Sequence, residues 1–131
     1  MEQASEIIIG IDLGTTNSAV AVVDGGVPIV LGNQKGERII PSAIYEQETG
    51  DFLIGSPAKR AGSANPKNLI TSTKRLMGQP ADSFDQADIF PNVRAHQKEL
   101  HHVTSQSQLT PPQVSAKILQ ELKGIAEMRL D

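Results

Sequence analysis

Ile9-Gly10-Ile11-Asp12-Leu13-Gly14-Thr15-Thr16-Asn17-Ser18 joins two apolar runs through a short polar bend. Ile7 to Ile11 is apolar and β-branched, the composition of a strand covered on both faces. Ser18 to Val23 is a second such run. A tight turn containing Gly14 lets successive backbone N–H groups converge on one point, which makes an anion-binding concavity. Thr15, Thr16 and Asn17 add short polar side chains without the bulk to block a ligand. Asp12, at the end of the first run, supplies a fixed carboxylate. Magnesium keeps several waters and touches few protein oxygens, so one carboxylate holding it through water suits that ion. The competing reading is a hairpin whose Thr and Asn side chains only close turn hydrogen bonds, with Asp12 capping a loop N–H. These residues alone leave both readings open. Neither a Walker-type G-x-x-x-x-G-K-[ST] nor a G-x-G-x-x-G occurs, so a nucleotide would not be held by a P-loop or a Rossmann turn.

Outward from this bend, Asp24-Gly25-Gly26 turns the chain into Val27–Leu31, where Pro28 favours a strand start or an edge. Asn33 to Glu37 is another turn, and Ser42–Glu46 and Phe52–Ile54 read as strands around Glu48-Thr49-Gly50-Asp51. Three turns in sequence predict an antiparallel meander with no crossover helix between the opening strands. After Gly55, Ser56-Pro57 reads as an N-cap followed by proline in the first turn, opening a helix to about Ala64. Asn65-Pro66 repeats that signal for a second helix that Gly78 ends. On it Leu69, Ile70, Thr73, Leu76 and Met77 share a face, with Lys74 about 100° from its centre and Arg75 about 160° away. Lys74 then borders the buried stripe, where its ammonium can face a cleft, and Arg75 points outward. A snorkelling lysine beside a solvated arginine satisfies the same pattern. Residues 79–110 are polar, with a strand pair expected near Asn92–Ala95 and His102–Ser105. Thr110-Pro111 starts a helix to about Leu130, whose stripe of Val114, Ile118, Leu122 and Ile125 is widened by Leu119 and Ala126. His96, His101 and His102 match no zinc spacing and read as surface histidines.

Composition narrows the function classes. The chain has 131 residues and a net charge of −3, distributed as −4 over residues 1–65 and +1 over 66–131, so neither half is a basic nucleic-acid footprint. Tyr45, Phe52, Phe84 and Phe90 are its only aromatics, too few for a base-stacking platform. The absence of cysteine removes disulfides, thiolate zinc sites and thiol catalysis. No apolar run reaches the roughly 18 residues of a membrane helix. Met1 to Glu6 is polar and acidic rather than a basic export signal, so a soluble cytoplasmic location is expected.

The ordered series IIGIDLGTTNS, Ile40-Pro41-Ser42, Gly55-Ser56-Pro57-Ala58-Lys59-Arg60, Asn65-Pro66 and Lys74-Arg75-Leu76-Met77-Gly78 resembles the start of the heat shock protein 70 chaperones, nearest in flavour to bacterial DnaK and HscA types. D-L-G-T alone is only moderately specific, because actins and sugar kinases share D-x-G-[TS]; the ordered series with its approximate spacings is highly specific. The resemblance is strong over residues 7–78, weak over 79–109, and returns over the helix from Pro111.

It implies an α/β fold, an incomplete ribonuclease H-like (actin-like) ATPase lobe with an antiparallel β-meander followed by helices. Residues 1–131 would be the N-terminal fragment of a nucleotide-binding domain. Within it, residues 1–40 carry the phosphate-binding hairpin and sheet, 41–110 an accessory subdomain, and 111–131 a returning helix. By position Gly14, Thr15, Thr16 and Asn17 line the phosphates of ATP or ADP, and Asp12 holds Mg2+ through water. Lys74 matches the catalytic lysine that reaches the γ-phosphate and the attacking water, and Arg75 a position that relays nucleotide state. The implied role is a stress-response chaperone that couples ATP hydrolysis to protein folding. Its partners are a J-domain co-chaperone, a nucleotide-exchange factor and unfolded peptides, with no nucleic acid or membrane.

Departures bear on activity. The family continues into a long strand, a second phosphate hairpin of the D-L-G-G-G-T type and an adenosine site, none of which occurs here, and Gln79-Pro80 stands where a basic residue is usual. Without the opposing loop, water exclusion and geometry fail, so the chain alone is expected to lack ATPase activity and to bind ATP weakly. An unpaired sheet edge is expected to favour a homo-oligomer. The alternatives are a fragment of another actin-fold phosphotransferase, such as a sugar kinase, or a stand-alone non-catalytic interaction module.

Overall fold

A computed structural model describes residues 7–79, 92–96 and 99–130 of the chain; Phe84, Phe90 and the polar start Met1 to Glu6 lie outside the described residues. The two apolar runs form β1 (Ile9–Leu13) and β2 (Asn17–Asp24), paired antiparallel with Ile9 opposite Val22 and Leu13 opposite Ser18. Beyond Gly25 and Gly26, both at positive φ, β3 (Val27–Val30) pairs with the far half of β2. A two-residue strand, β4 (Ile40–Pro41), pairs with the start of β2. Side-chain alternation places Ile9, Ile11 and Leu13 on one face of β1, and Ile9 and Leu13 pack against the core. The expectation that β1 is covered on both faces fails. Among the described residues only β2 pairs with it, and Ile8 and Ile11 are exposed.

The meander does not continue into the next strands. At Ser42 the chain leaves the first sheet and enters a second, in which β5 (Ala43–Glu46) is central between β6 (Phe52–Ile54) and β7 (Leu69–Thr71). α1 (Ser56–Ala64) follows β6. Its cap is Gly55, at φ 82, and not Ser56, whose hydroxyl instead donates to Glu37 Oε2 at 2.8 Å. The helix expected from Asn65-Pro66 to Met77 is absent. Pro66–Asn68 is a 3₁₀ turn, Leu69–Thr71 is β7, and Thr73–Leu76 is a second 3₁₀ turn. A helix of that length is marginal on propensity alone, and the open edge of β5 offers β-branched Ile70 a ladder partner, with Ile44 directly opposite. The tertiary contact wins.

A third sheet holds β8 (Val93–His96), β9 (Glu99–Val103) and β10 (Gln108–Leu109) in antiparallel order. The expected strand pair therefore exists, with its second strand earlier than His102–Ser105 and Val93 opposite His102. α2 (Pro111–Leu130) opens with a reciprocal cap: the Thr110 N–H donates to Gln113 Oε1 at 2.9 Å and the Gln113 N–H donates to Thr110 Oγ1 at 3.3 Å. Val114, Ile118, Leu122 and Ile125 are buried as the stripe requires, with Ala126 beside them, whereas Leu119 is exposed. This face covers Val20, Ile40, Ile44 and Ile70, so one helix seals both opening sheets. At its far end the Arg129 guanidinium donates to the carbonyls of Gly32 and Asn33. Among the described residues no helix is long and apolar enough to cross a membrane.

α1 meets β7 through Gly62, where an added Cβ would lie 2.5 Å from Leu69 Cδ2 and 2.7 Å from its Cβ. Alanine favours a helix by about 1 kcal/mol over glycine, but overpacking costs about 1–3 kcal/mol. Gly62→Ala is expected to be net destabilising by about 1 kcal/mol or more, read from the urea midpoint.

Candidate phosphate-binding site

The bend between β1 and β2 owes its shape to two residues. A side chain at Gly14 would collide with the Asn17 carbonyl oxygen, so only glycine permits the close return. The second is Ser42, between β4 and β5. Its N–H donates to the Thr16 carbonyl at 2.8 Å and its hydroxyl to the Gly14 carbonyl at 2.8 Å. A hydroxyl has one proton to give, so the 2.7 Å contact with Ser18 Oγ has Ser18 as donor. Two carbonyls of the bend are thereby tied to a buried serine. The amides of Thr15 and Thr16 have no hydrogen-bond partner among the described residues, and neither do the side chains of Asp12, Thr15, Thr16 and Asn17. Turn closure and loop capping, the competing reading of these side chains, are not what they do here. Alternation along the two strands puts Asp12 and Asn17 on the same face, away from the core.

Lys74 sits elsewhere in the chain, on the 3₁₀ turn after β7. The periodicity that placed it on the border of a helical stripe does not apply, because that helix is absent. In the turn Thr73 and Leu76 are buried, whereas Lys74 and Arg75 are exposed. Its connection to the bend runs through the ladder, since Thr71 pairs with Ala43, the neighbour of Ser42. The bend thus brings Asp12, Gly14, Thr15, Thr16 and Asn17 together, and Lys74 makes no hydrogen bond or ion pair with them. Three cavities, of about 280, 410 and 180 Å³, lie against α2, and none is lined by any residue of the bend. Thr16 and Asn17 are exposed and Thr15 is half-buried.

The family profile described as Hsp70 protein matches residues 8–131. The chain belongs to this family. It is 42% identical over 125 residues to the chaperone protein DnaK of Buchnera aphidicola subsp. Schizaphis graminum (strain Sg). That alignment covers 92% of the chain and 20% of the relative, so the chain spans a fifth of the relative's length. The family membership answers the resemblance carried by the ordered motifs, and a sugar-kinase origin falls away.

The sequence pattern gives Ser42, Thr73 and His102 no part in the site that matches the contacts they make in the fold. Ile40-Pro41-Ser42 is visible as a motif, but its role depends on a strand switch that no local pattern reveals. His102 contradicts its reading as a surface residue: it is 3% exposed, and its Nε2 lies 2.8 Å from Thr73 Oγ1. The cause is alternation in β9, which turns Leu100 and His102 inward together. His101 is partly buried, and the His96 side chain lies outside the described residues. Among the described residues no group of three His, Cys, Asp or Glu can hold a metal. Burial, with a smaller contribution from neighbouring His101, pushes the His102 imidazole down to about 4 from 6.5. Hydrogen bonds from Ser56 and Asn33 hold the Glu37 carboxyl below its usual range.

Ser42→Ala leaves Ser18 and the Gly14 carbonyl without their partner, and a loss of about 1–3 kcal/mol is expected in urea denaturation. For His102 the folded state binds its proton later than the unfolded chain. Its stabilising effect is therefore full above pH 6.5, is lost as pH falls towards 4, and is absent below that. Between pH 7 and 4 the wild type should lose on the order of 3 kcal/mol that His102→Leu does not lose, measured by denaturation at each pH.

Proposed function

We propose that the chain is the ATP-binding N-terminal part of a chaperone ATPase, with the β1–β2 bend as its phosphate cradle. The observation that carries this reading is a bend whose Gly14 and Thr16 carbonyls are tied back by Ser42, while the Thr15 and Thr16 amides and four polar side chains have no hydrogen-bond partner among the described residues. The amides of Thr15 and Thr16 donate to β- and γ-phosphate oxygens, and the hydroxyls of Thr15 and Thr16 and the Asn17 amide complete the contact. Asp12 is a single exposed carboxylate with no acidic or histidine cluster around it among the described residues, which fits an ion that retains its water. Magnesium, when bound, would neutralise charge on the phosphates. Lys74 supplies a cation towards the γ-phosphate and the attacking water, so its part is electrostatic and positional.

In the whole protein, hydrolysis would be in-line attack by water and would control peptide binding in a separate domain. A J-domain co-chaperone and a nucleotide-exchange factor would set the cycle in the cytoplasm. The chain alone offers one wall of the site. Contacts only on one side neither exclude water nor fix the reacting geometry, so affinity is low and turnover absent.

Titration of the labelled chain with magnesium and an unhydrolysable ATP analogue tests this by amide NMR. Shifts are expected at Thr15, Thr16 and Asn17, with a Kd weaker than about 1 μM, and Asp12→Asn should weaken the magnesium-dependent part about tenfold. Shifts confined to residues away from the bend, or none at millimolar ligand, would overturn the assignment and favour a non-catalytic interaction module.

A further inference from the structure

We infer that His102 is a positioning residue for Lys74, acting through the Thr73 hydroxyl. The inference rests on reading Lys74 as the residue that meets the γ-phosphate. Lys74 stands on a four-residue 3₁₀ turn entered through Ser72, a non-glycine residue at φ 57, and left through Gly78 at φ 75. At its two ends the Arg75 N–H donates to the Ser72 carbonyl at 3.1 Å and the Met77 N–H to the Lys74 carbonyl at 3.2 Å. Such a turn has poor hydrogen-bond geometry and depends on its surroundings for a fixed shape.

α2 packs against the turn, and the third sheet provides two anchors. Residues i and i+3 of a 3₁₀ turn eclipse one another, so Thr73 and Leu76 point the same way. Leu76 enters a small apolar cluster with Val93 and Leu100 of the third sheet. Thr73, three residues earlier, meets His102 of that same sheet, and both are less than 5% exposed. With both ends of the turn fixed to β8 and β9, Lys74 and Arg75 are left between them, facing solvent. The apolar anchor limits distance but not rotation. The hydrogen bond is directional, and it sets the roll of the turn and hence the line along which the Lys74 stem leaves it. A neutral imidazole and a hydroxyl each carry a donor and an acceptor, so the pair closes in either tautomer.

Thr73→Val removes the hydroxyl at nearly constant shape, and Thr73→Ser retains it. Backbone hydrogen exchange needs no ligand: Thr73→Val should speed exchange at the Arg75 and Met77 amides about tenfold or more, and Thr73→Ser less than about twofold. Protection in the β1–β2 ladder should not change in either. His102→Val should reproduce Thr73→Val, which carries the test if the histidine variant does not fold. A second readout uses chains with 13C-methylated lysines, the Lys74 signal being assigned with Lys74→Arg. With magnesium and the unhydrolysable ATP analogue, Thr73→Val should lose the Lys74 shift while keeping those of Thr15 and Thr16. Unchanged exchange at Arg75 and Met77, loss of protection spreading to β1–β2, or a surviving Lys74 shift in Thr73→Val would each overturn the inference. Silence at Thr15 and Thr16 in the wild type would sink the nucleotide reading instead, and the exchange result would still decide whether His102 holds the turn.

Discussion

Ser42 holds the arrangement together. One buried residue gives its N–H to Thr16 and its hydroxyl to Gly14, and accepts from buried Ser18, at the point where the chain passes from the first sheet to the second. Three hydrogen bonds on one short side chain and its amide fix a glycine bend that has few contacts of its own. They also decide which groups of the bend face inward. The serine takes the Gly14 and Thr16 carbonyls, and the Thr15 and Thr16 amides have no partner among the described residues, the polarity that the proposed anion site requires.

Beyond this junction the fold is joined by one apolar seal and one polar seam. α2 supplies the seal, with a single stripe closing over β2, β4, β5 and β7. The seam lies between the second and third sheets. Thr104 donates to the buried carboxylate of Glu46, and Asn68 Oδ1 accepts from both the N–H and the hydroxyl of Ser105 at 2.9 Å. Gln106 reaches the Glu48 carbonyl at 3.0 Å, and Thr73 meets His102. A seam of directional bonds fixes register more strictly than an apolar contact of the same area, because a displaced partner leaves a buried polar group unsatisfied. Glu46 already carries one such oxygen, Oε1, which has no hydrogen-bond partner among the described residues.

The segment from Asn65 to Gly78 shows where local reading stops. Its proline, its apolar spacing and its terminal glycine all fit a helix, and the glycine does end the segment at positive φ. What the spacing cannot contain is the vacant edge of β5, presented by a strand more than twenty residues earlier. The surface expectation for His102 fails for the same reason in reverse. A polar residue next to another histidine looks solvated until strand alternation and the approach of Thr73 put it inside.

Sequence by itself determined the two opening strands and their glycine bend, the span and buried stripe of α2, and membership in the family through motifs in fixed order. Each is written in residues close together in the chain, where dihedral preference, side-chain period or direct succession suffices. The structure decided that β7 replaces a helix, that Ser42 clamps the bend, and that His102 stands behind the turn of Lys74. Those outcomes depend on which edges and donors are left unpaired once distant segments meet, and pairing energy of that kind exists only in the assembled fold.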